Sequence, residues 1–251
     1  MSDAITVIAH ARSGIGTYDL SVLPDTLAGA YDFQDGLAAA VGKAGGFKMA
    51  VNGAPQMAHF GVDEPVWARI FADQVHASGV TLPRSGFDAV SVEPEIAAIL
   101  GAGVEKLTGA VDRDTALTLI DRFHPAIELI DQRGLSVPQL TLPQAVALNV
   151  FNAGCVLGPD HIAPADLDLE AMHVTIHDDS ALVGEATNNA PQHPVDAVMW
   201  LVNQLTVRGV KPQAGMVVLC GTHLPLRTLD ASVGRVDVRM SGLGEVSFSL
   251  V

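Results

Sequence analysis

Cysteine, aromatic residues and positive charge are all scarce in this sequence of 251 residues. There are two cysteines, Cys155 and Cys220, each in apolar surroundings. No Cys-x-x-Cys pair exists, so a thiolate zinc site finds no support, and two buried thiols in a reducing compartment are expected. Lysine and arginine total 14 against 28 acidic residues, a formal net charge of −14. Binding to nucleic acid or to an anionic membrane surface needs clustered Lys and Arg, so neither partner is expected. No run reaches the ~18 apolar residues of a membrane helix. No basic segment followed by a long apolar stretch opens the chain, so no secretory signal is read and a cytoplasmic location is expected. Neither a Gly-x-Gly-x-x-Gly after a strand nor a Gly-x-x-x-x-Gly-Lys-Ser/Thr occurs, which argues against dinucleotide and P-loop nucleotide binding.

Aliphatic bulk is plentiful. Hydrophobic residues make up 49% and aromatics only 5%, so Ala, Val, Leu and Ile must build the core. The length suits one domain or one domain with a small appendage. Helical spacing of Ala28, Tyr31, Leu37 and Val41 predicts a helix over 27–41, with Asp25 at or near its N-cap. A short strand is predicted over 46–51, ending at the Asn52-Gly53 turn signal. Residues 88–100 are an apolar run broken by two carboxylates. Residues 115–123 read as helix, 125–130 as strand, and 141–151 as apolar but ambiguous. Short β-type runs follow at 172–177, 216–220, 233–240 and 245–250. Between them, 194–209 reads as one amphipathic helix started by Pro194. The sum is an α+β pattern rather than a regular βαβ repeat.

The chemistry is concentrated in Val92-Glu93-Pro94-Glu95-Ile96 and Pro125-Ala126-Ile127-Glu128. In a strand, residues two apart share a face, so Glu93 and Glu95 project together. Their flanks are apolar. Desolvated carboxylates at close quarters repel, so one must hold a proton or a cation must sit between them. Three such groups with an open remainder would suit a hard divalent ion, Mg²⁺ or Mn²⁺. Glu-Pro-Glu would equally suit a solvated sheet edge, where Pro and charge are common. Spacing leaves both readings open.

A further series of motifs runs through the chain. It comprises Ala30-Tyr31-Asp32-Phe33-Gln34, Gly46-Phe47-Lys48-Met49-Ala50, Gly61-Val62-Asp63-Glu64-Pro65, Phe71-Ala72-Asp73, the two Glu segments, Val156-Leu157-Gly158, His193-Pro194, Gly221-Thr222 and Gly242-Leu243-Gly244-Glu245-Val246. In this order they resemble the 2-keto-4-pentenoate hydratase / 4-oxalocrotonate decarboxylase group of the fumarylacetoacetate hydrolase superfamily. The resemblance implies a mixed β roll over 46–251 with a small helical part over 1–45, forming one catalytic domain. It implies a Mg²⁺ or Mn²⁺ site at Glu93, Glu95 and Glu128, with Lys48 facing a small 2-oxo or 2-hydroxy-dienoate acid from aromatic-compound degradation. A homo-oligomer, with possible assembly beside a related hydratase or decarboxylase, is also implied.

The sequence departs from that group at several positions. Val66 stands where hydratases carry an acidic residue. Leu148-Asn149-Val150-Phe151 stands where they carry Asp-Asn-Ala-Ser, so Asn149 is kept and Phe151 replaces a hydroxyl. These departures leave hydration and decarboxylation both open. Val66, Asn149, Phe151, Gly221 and Thr222 are expected to line the substrate, and His223, or else His59, to replace the missing acid. Two other readings stand beside this one. A C–C hydrolase of acylpyruvates would need a water-activating pair, and His76 has no evident partner. A non-catalytic partner subunit would bind metal or keto acid without turnover.

Overall fold

The computed structural model describes residues 3–14 and 16–251. Two helices come first, α1 (Asp3–Arg12) and α2 (Leu27–Val41). Then follow β1 (Ala44–Ala50), α3 (Ala54–Phe60), β2 (Val66–Phe71), β3 (Val75–Ala77), β4 (Val80–Leu82) and β5 (Val90–Leu100). The middle of the chain forms α4 (Arg113–Leu119), β6 (Ile120–Asp131), α5 (Leu142–Ala147) and β7 (Asn152–Leu157). The last part forms β8 (His173–Asp178), β9 (Ala181–Thr187), α6 (Pro194–Val207), β10 (Val217–Thr222), β11 (Arg227–Thr228), β12 (Arg235–Met240) and β13 (Gly244–Leu250).

The strands form two mixed sheets. One runs β2-β1-β10-β5-β6-β7-β3, with β11 paired to β5, and the other runs β4-β13-β12-β8-β9. Pairing is antiparallel except for β1 with β10, β3 with β7, and β4 with β13. The second sheet alternates buried and open residues, and its buried side (Val174, Ile176, Val236, Val238, Val246 and Phe248) joins one core with β5, β6 and α6. This is the mixed α and β architecture expected, with the helical part ahead of the first strand.

Local chemistry explains the elements. Helix α2 buries Ala30, Gln34 and Leu37, positions spaced by four and three. Its N-cap is Thr26, not Asp25: the Thr26 hydroxyl accepts from Gly29 N at 3.2 Å. Helix α5 opens with a capping box of Thr141 and Gln144, which resolves the ambiguous apolar segment. Val198, Leu201, Val202 and Leu205 of α6 are fully buried, and the His193 ring accepts from Val195 N at its start.

The helix expected over 115–123 stops at Leu119, and Phe123 lies in β6. Pro125 disfavours helix at the residue before it, and β6 is buried on both faces, so its apolar run carries no alternating signal. Helices α1 and α3 were not anticipated. Among its residues, α1 buries only Ile8 and Ala11, too few for a visible stripe.

Candidate metal centre and its cavity

Glu93-Pro94-Glu95 is not at a sheet edge. Strand β5 lies between β10 and β6, with β11 continuing the ladder beyond β10. The β10 ladder breaks between Leu219 and Thr222, opposite Ile96. Pro94 O still accepts from His223 N at 2.9 Å, and the His223 carbonyl, which a proline cannot serve, accepts from Asn189 Nδ2 at 2.8 Å instead. The break is formed by Gly221, whose φ of 117° suits only glycine, and an added Cβ would meet Asn52 Nδ2 at 2.3 Å. The freed Gly221 N–H donates to Glu95 Oε2 at 2.7 Å. The bulge therefore orients the second glutamate.

Glu93 stands directly across from Glu128 in the β5–β6 register. One carboxylate oxygen from each of Glu93, Glu95 and Glu128 can be chosen so that all three lie within 4.8 Å. Glu95 is 1% exposed and Glu128 is fully buried. Glu128 Oε1 accepts from Lys48 Nζ at 2.8 Å and from Asn152 Nδ2 at 2.8 Å. Glu128 Oε2 is buried with no hydrogen-bond partner. Leaving a buried carboxylate oxygen bare is costly, and a bound cation would satisfy it.

The electrostatics agree. Burial and then the charge of Glu128 push Glu93 up to about 8, against the pull of Lys48. Burial, Glu128 and Glu93 raise Glu95 well above the carboxylate range, with Gly221 N–H and Lys48 opposing. For Lys48, burial works to lower the pKa, but Glu128, Glu93 and Glu95 outweigh it and the net shift is upward. The possibility of a lysine neutralised by burial is thus not met here. Three crowded carboxylates, an orphaned oxygen and an all-oxygen donor set fit a hard divalent ion.

Lys48, Glu93 and Glu95 line a cavity of about 400 Å³. Its wall is mainly apolar, with Val51, Phe60, Ile130, Val137, Val150 and Phe151. Thr222 also lines it, though its hydroxyl donates to Leu224 O. His59 lies at its exposed margin.

Other expected positions fall elsewhere. Val66 is buried against Ala50, Ala68 and Val146 and does not line the cavity. Asn149 is spent on the backbone of β2: Arg69 N donates to its Oδ1 at 2.8 Å and its Nδ2 donates to Arg69 O at 2.8 Å. Gly221 serves Glu95 rather than the cavity wall. His223 is 2% exposed and is also absent from the wall, and its backbone N–H donates to Pro94 O. Burial pushes its ring down to about 4.

Sequence reasoning passed over Asn152, the second donor to Glu128. A polar residue opening an apolar strand was its only signal. It also passed over backbone strain: Val51 (φ 54°), Val150 (φ 44°) and Phe151 (φ 58°) are left-handed and all three line the cavity. β-Branched residues rarely adopt that conformation, and such strain gathers at functional sites.

Comparison with known proteins shows the family and the fold. The chain is 29% identical over 206 residues to 2-hydroxyhexa-2,4-dienoate hydratase of Comamonas testosteroni, covering 80% of this chain and 76% of that one. It is 27% identical over 205 residues to a 4-oxalocrotonate decarboxylase of a Pseudomonas species, covering 81% and 77%. Its fold is similar to 4-oxalocrotonate decarboxylase from Pseudomonas putida G7 complexed with magnesium and adipate, with a TM-score of 0.86, 23% identity, and coverage of 99% and 96%. Residues 49–251 match the family described as Fumarylacetoacetate (FAA) hydrolase C-terminal, and the chain belongs to that family.

Proposed function

We propose that this chain is a divalent-metal-dependent lyase, of hydratase or decarboxylase type, acting on a short 2-oxo or 2-hydroxy-dienoate acid in aromatic-compound degradation. The observation that carries the reading is Glu128: one oxygen held by Lys48 and Asn152, the other bare and buried beside Glu93 and Glu95. The hydratases and decarboxylases among its relatives, and the magnesium in the matched decarboxylase, support it.

Glu93, Glu95 and Glu128 would hold Mg²⁺ or Mn²⁺, which when bound supplies Lewis-acid stabilisation of charge at the substrate's 2-oxygen. Lys48 Nζ donates to Glu128 Oε1 and lines the cavity, so its part is to orient the acid and donate to the negative charge that develops on it. Asn152 and the Gly221 N–H fix the two buried carboxylates. The apolar wall keeps bulk water from the reacting carbons. His59 is the titratable group at the margin of the cavity that could deliver a proton. A homo-oligomer in the cytoplasm, working beside a related hydratase or decarboxylase, belongs to the same reading through the family resemblance. A C–C hydrolase is less well supported, because His76 faces a different cavity.

Product mass tests the proposal. The purified protein is incubated with Mg²⁺ and either 2-hydroxypenta-2,4-dienoate or 2-oxohex-3-enedioate. Gain of water by the first identifies a hydratase, and loss of carbon dioxide from the second identifies a decarboxylase. Glu95→Ala is expected to abolish both turnover and Mg²⁺ binding. No product from either acid overturns the assignment, and tight Mg²⁺ binding by Glu95→Ala overturns the site.

A further inference from the structure

We infer that Phe151 sets the tail specificity of this site. It lies between the carboxylate-lined cavity and a second cavity that carries two guanidiniums, so the site prefers a substrate whose far end is uncharged. The inference rests on the 2-oxo acid reading and adds to it the kind of tail accepted.

The first observation is the wall itself. Among the described residues lining the Glu93–Glu95 cavity, Lys48 is the one Lys or Arg. Lys48 is committed to Glu128. Around Phe151 a carboxylate at the far end of a substrate would meet Ile130, Val137 and Val150, and the polar groups Asn52, Gln56, His59 and Gln132 of the lining carry no fixed positive charge. Desolvating a charge against such a wall is strongly unfavourable.

The second observation is what lies behind Phe151. A separate cavity of about 330 Å³ is lined by Arg12, Tyr18, Arg133 and Asn152, and Phe151 lines both cavities. Arg133 pairs with Asp131 at 2.9 Å, and the same carboxylate accepts from Asp88 N. Arg12 donates to the carbonyl of Asn152 at 2.8 Å, and its guanidinium lies 5.4 Å from the Phe71 ring centre. The other acid on this cavity, Asp73, is exposed. The groups that would best receive a second carboxylate are therefore present, but on the wrong side of the ring.

The third observation is how firmly that ring is held. Phe151 is 1% exposed and packs with Ile130, Ala145 and Leu148. Its ring lies 6.2 Å from that of Tyr18. Asn149, Val150 and Phe151 are left-handed in succession, and the two hydrogen bonds from Asn149 to β2 anchor the segment. Such a backbone persists only where its surroundings over-determine it. An uncharged tail favours the hydratase side of the proposed function.

Calorimetric binding to the Mg²⁺-loaded protein tests the inference without requiring turnover. The probes are 2-oxopentanoate, with an uncharged tail, and 2-oxohexanedioate, with a carboxylate at its far end. Wild type is expected to prefer 2-oxopentanoate by about tenfold or more, the scale of an unpaired charge in an apolar wall. Phe151→Ala, which removes the ring that both cavities share, is expected to narrow that preference, and adding Arg12→Gln to restore it. Leu226→Arg, a change at a partly exposed position of the wall, is expected to raise 2-oxohexanedioate affinity with Phe151 intact, so the test survives if Phe151→Ala fails to fold. Equal binding of the two acids by wild type overturns the specificity inference alone. A folded Phe151→Ala with an unchanged preference does the same. Binding of neither acid overturns the 2-oxo acid reading together with this one.

Discussion

Lys48 Nζ lies 2.8 Å from Glu128 Oε1, and the two side chains are 4% and 0% exposed. A buried pair of this kind is costly to break from one side, because the surviving charge has no water to turn to. Lys48 faces the cavity while Glu128 does not, so the pair links the cavity to the carboxylate behind it. Lys48→Ala is expected to destabilise the metal-free protein by roughly 3 kcal/mol. It is expected to retain Mg²⁺ binding, since the carboxylates remain, and to lose turnover. Urea unfolding with and without Mg²⁺, together with product formation, checks each part, and undiminished turnover removes Lys48 from the chemistry.

Asn152 holds the same oxygen of Glu128 from the other side. Groups that orient a metal's ligands without touching the metal commonly govern affinity by about ten- to a hundredfold. Asn152→Leu keeps the volume and removes the donor. Its Mg²⁺ or Mn²⁺ affinity, measured by calorimetry, is expected to fall within that range. An unchanged affinity would mean that Lys48 alone positions Glu128.

Val66→Asp separates a packing position from a missing catalytic acid. Val66 is 3% exposed and pairs with Ala50 inside an apolar cluster. A carboxylate placed there is desolvated without a partner, and a loss of about 3 kcal/mol is expected. The product ratio should not change. A stable variant with enhanced hydration would show that the position reaches substrate.

His223 supplies a pH signature. Burial holds its folded pKa near about 4, against the ordinary value of 6.5 in an open chain. The unfolded chain therefore binds the extra proton between those values. The stabilisation from keeping this ring neutral is complete above about pH 6.5 and is lost as pH falls to about 4. His223→Gln is expected to lose less stability than wild type between pH 7 and pH 4.5, as read from urea midpoints. Equal losses would assign the acid sensitivity to other groups.

The sequence by itself determined the three glutamates, because charge inside an apolar run stands out whatever the fold. It also determined α2, α6 and most strands, whose periodicity or apolar runs are local properties. Even the motif order that resembles the family was legible in one dimension. Which side chains share a cavity was not. Phe151 lines it while Asn149, two residues earlier, turns away to β2, because a left-handed segment breaks any simple alternation. Val66 and His223, next to motifs that do reach the cavity, are buried elsewhere. The partner of Glu128, the bulge that turns the Gly221 N–H to Glu95, and the guanidiniums behind Phe151 all depend on contacts between distant segments. Arg12 and Asn152, 140 residues apart, are brought together only by the packing of the helical part against the sheet. Tertiary structure alone decided those pairings, because they follow from strand order and register rather than from the preferences of neighbouring residues.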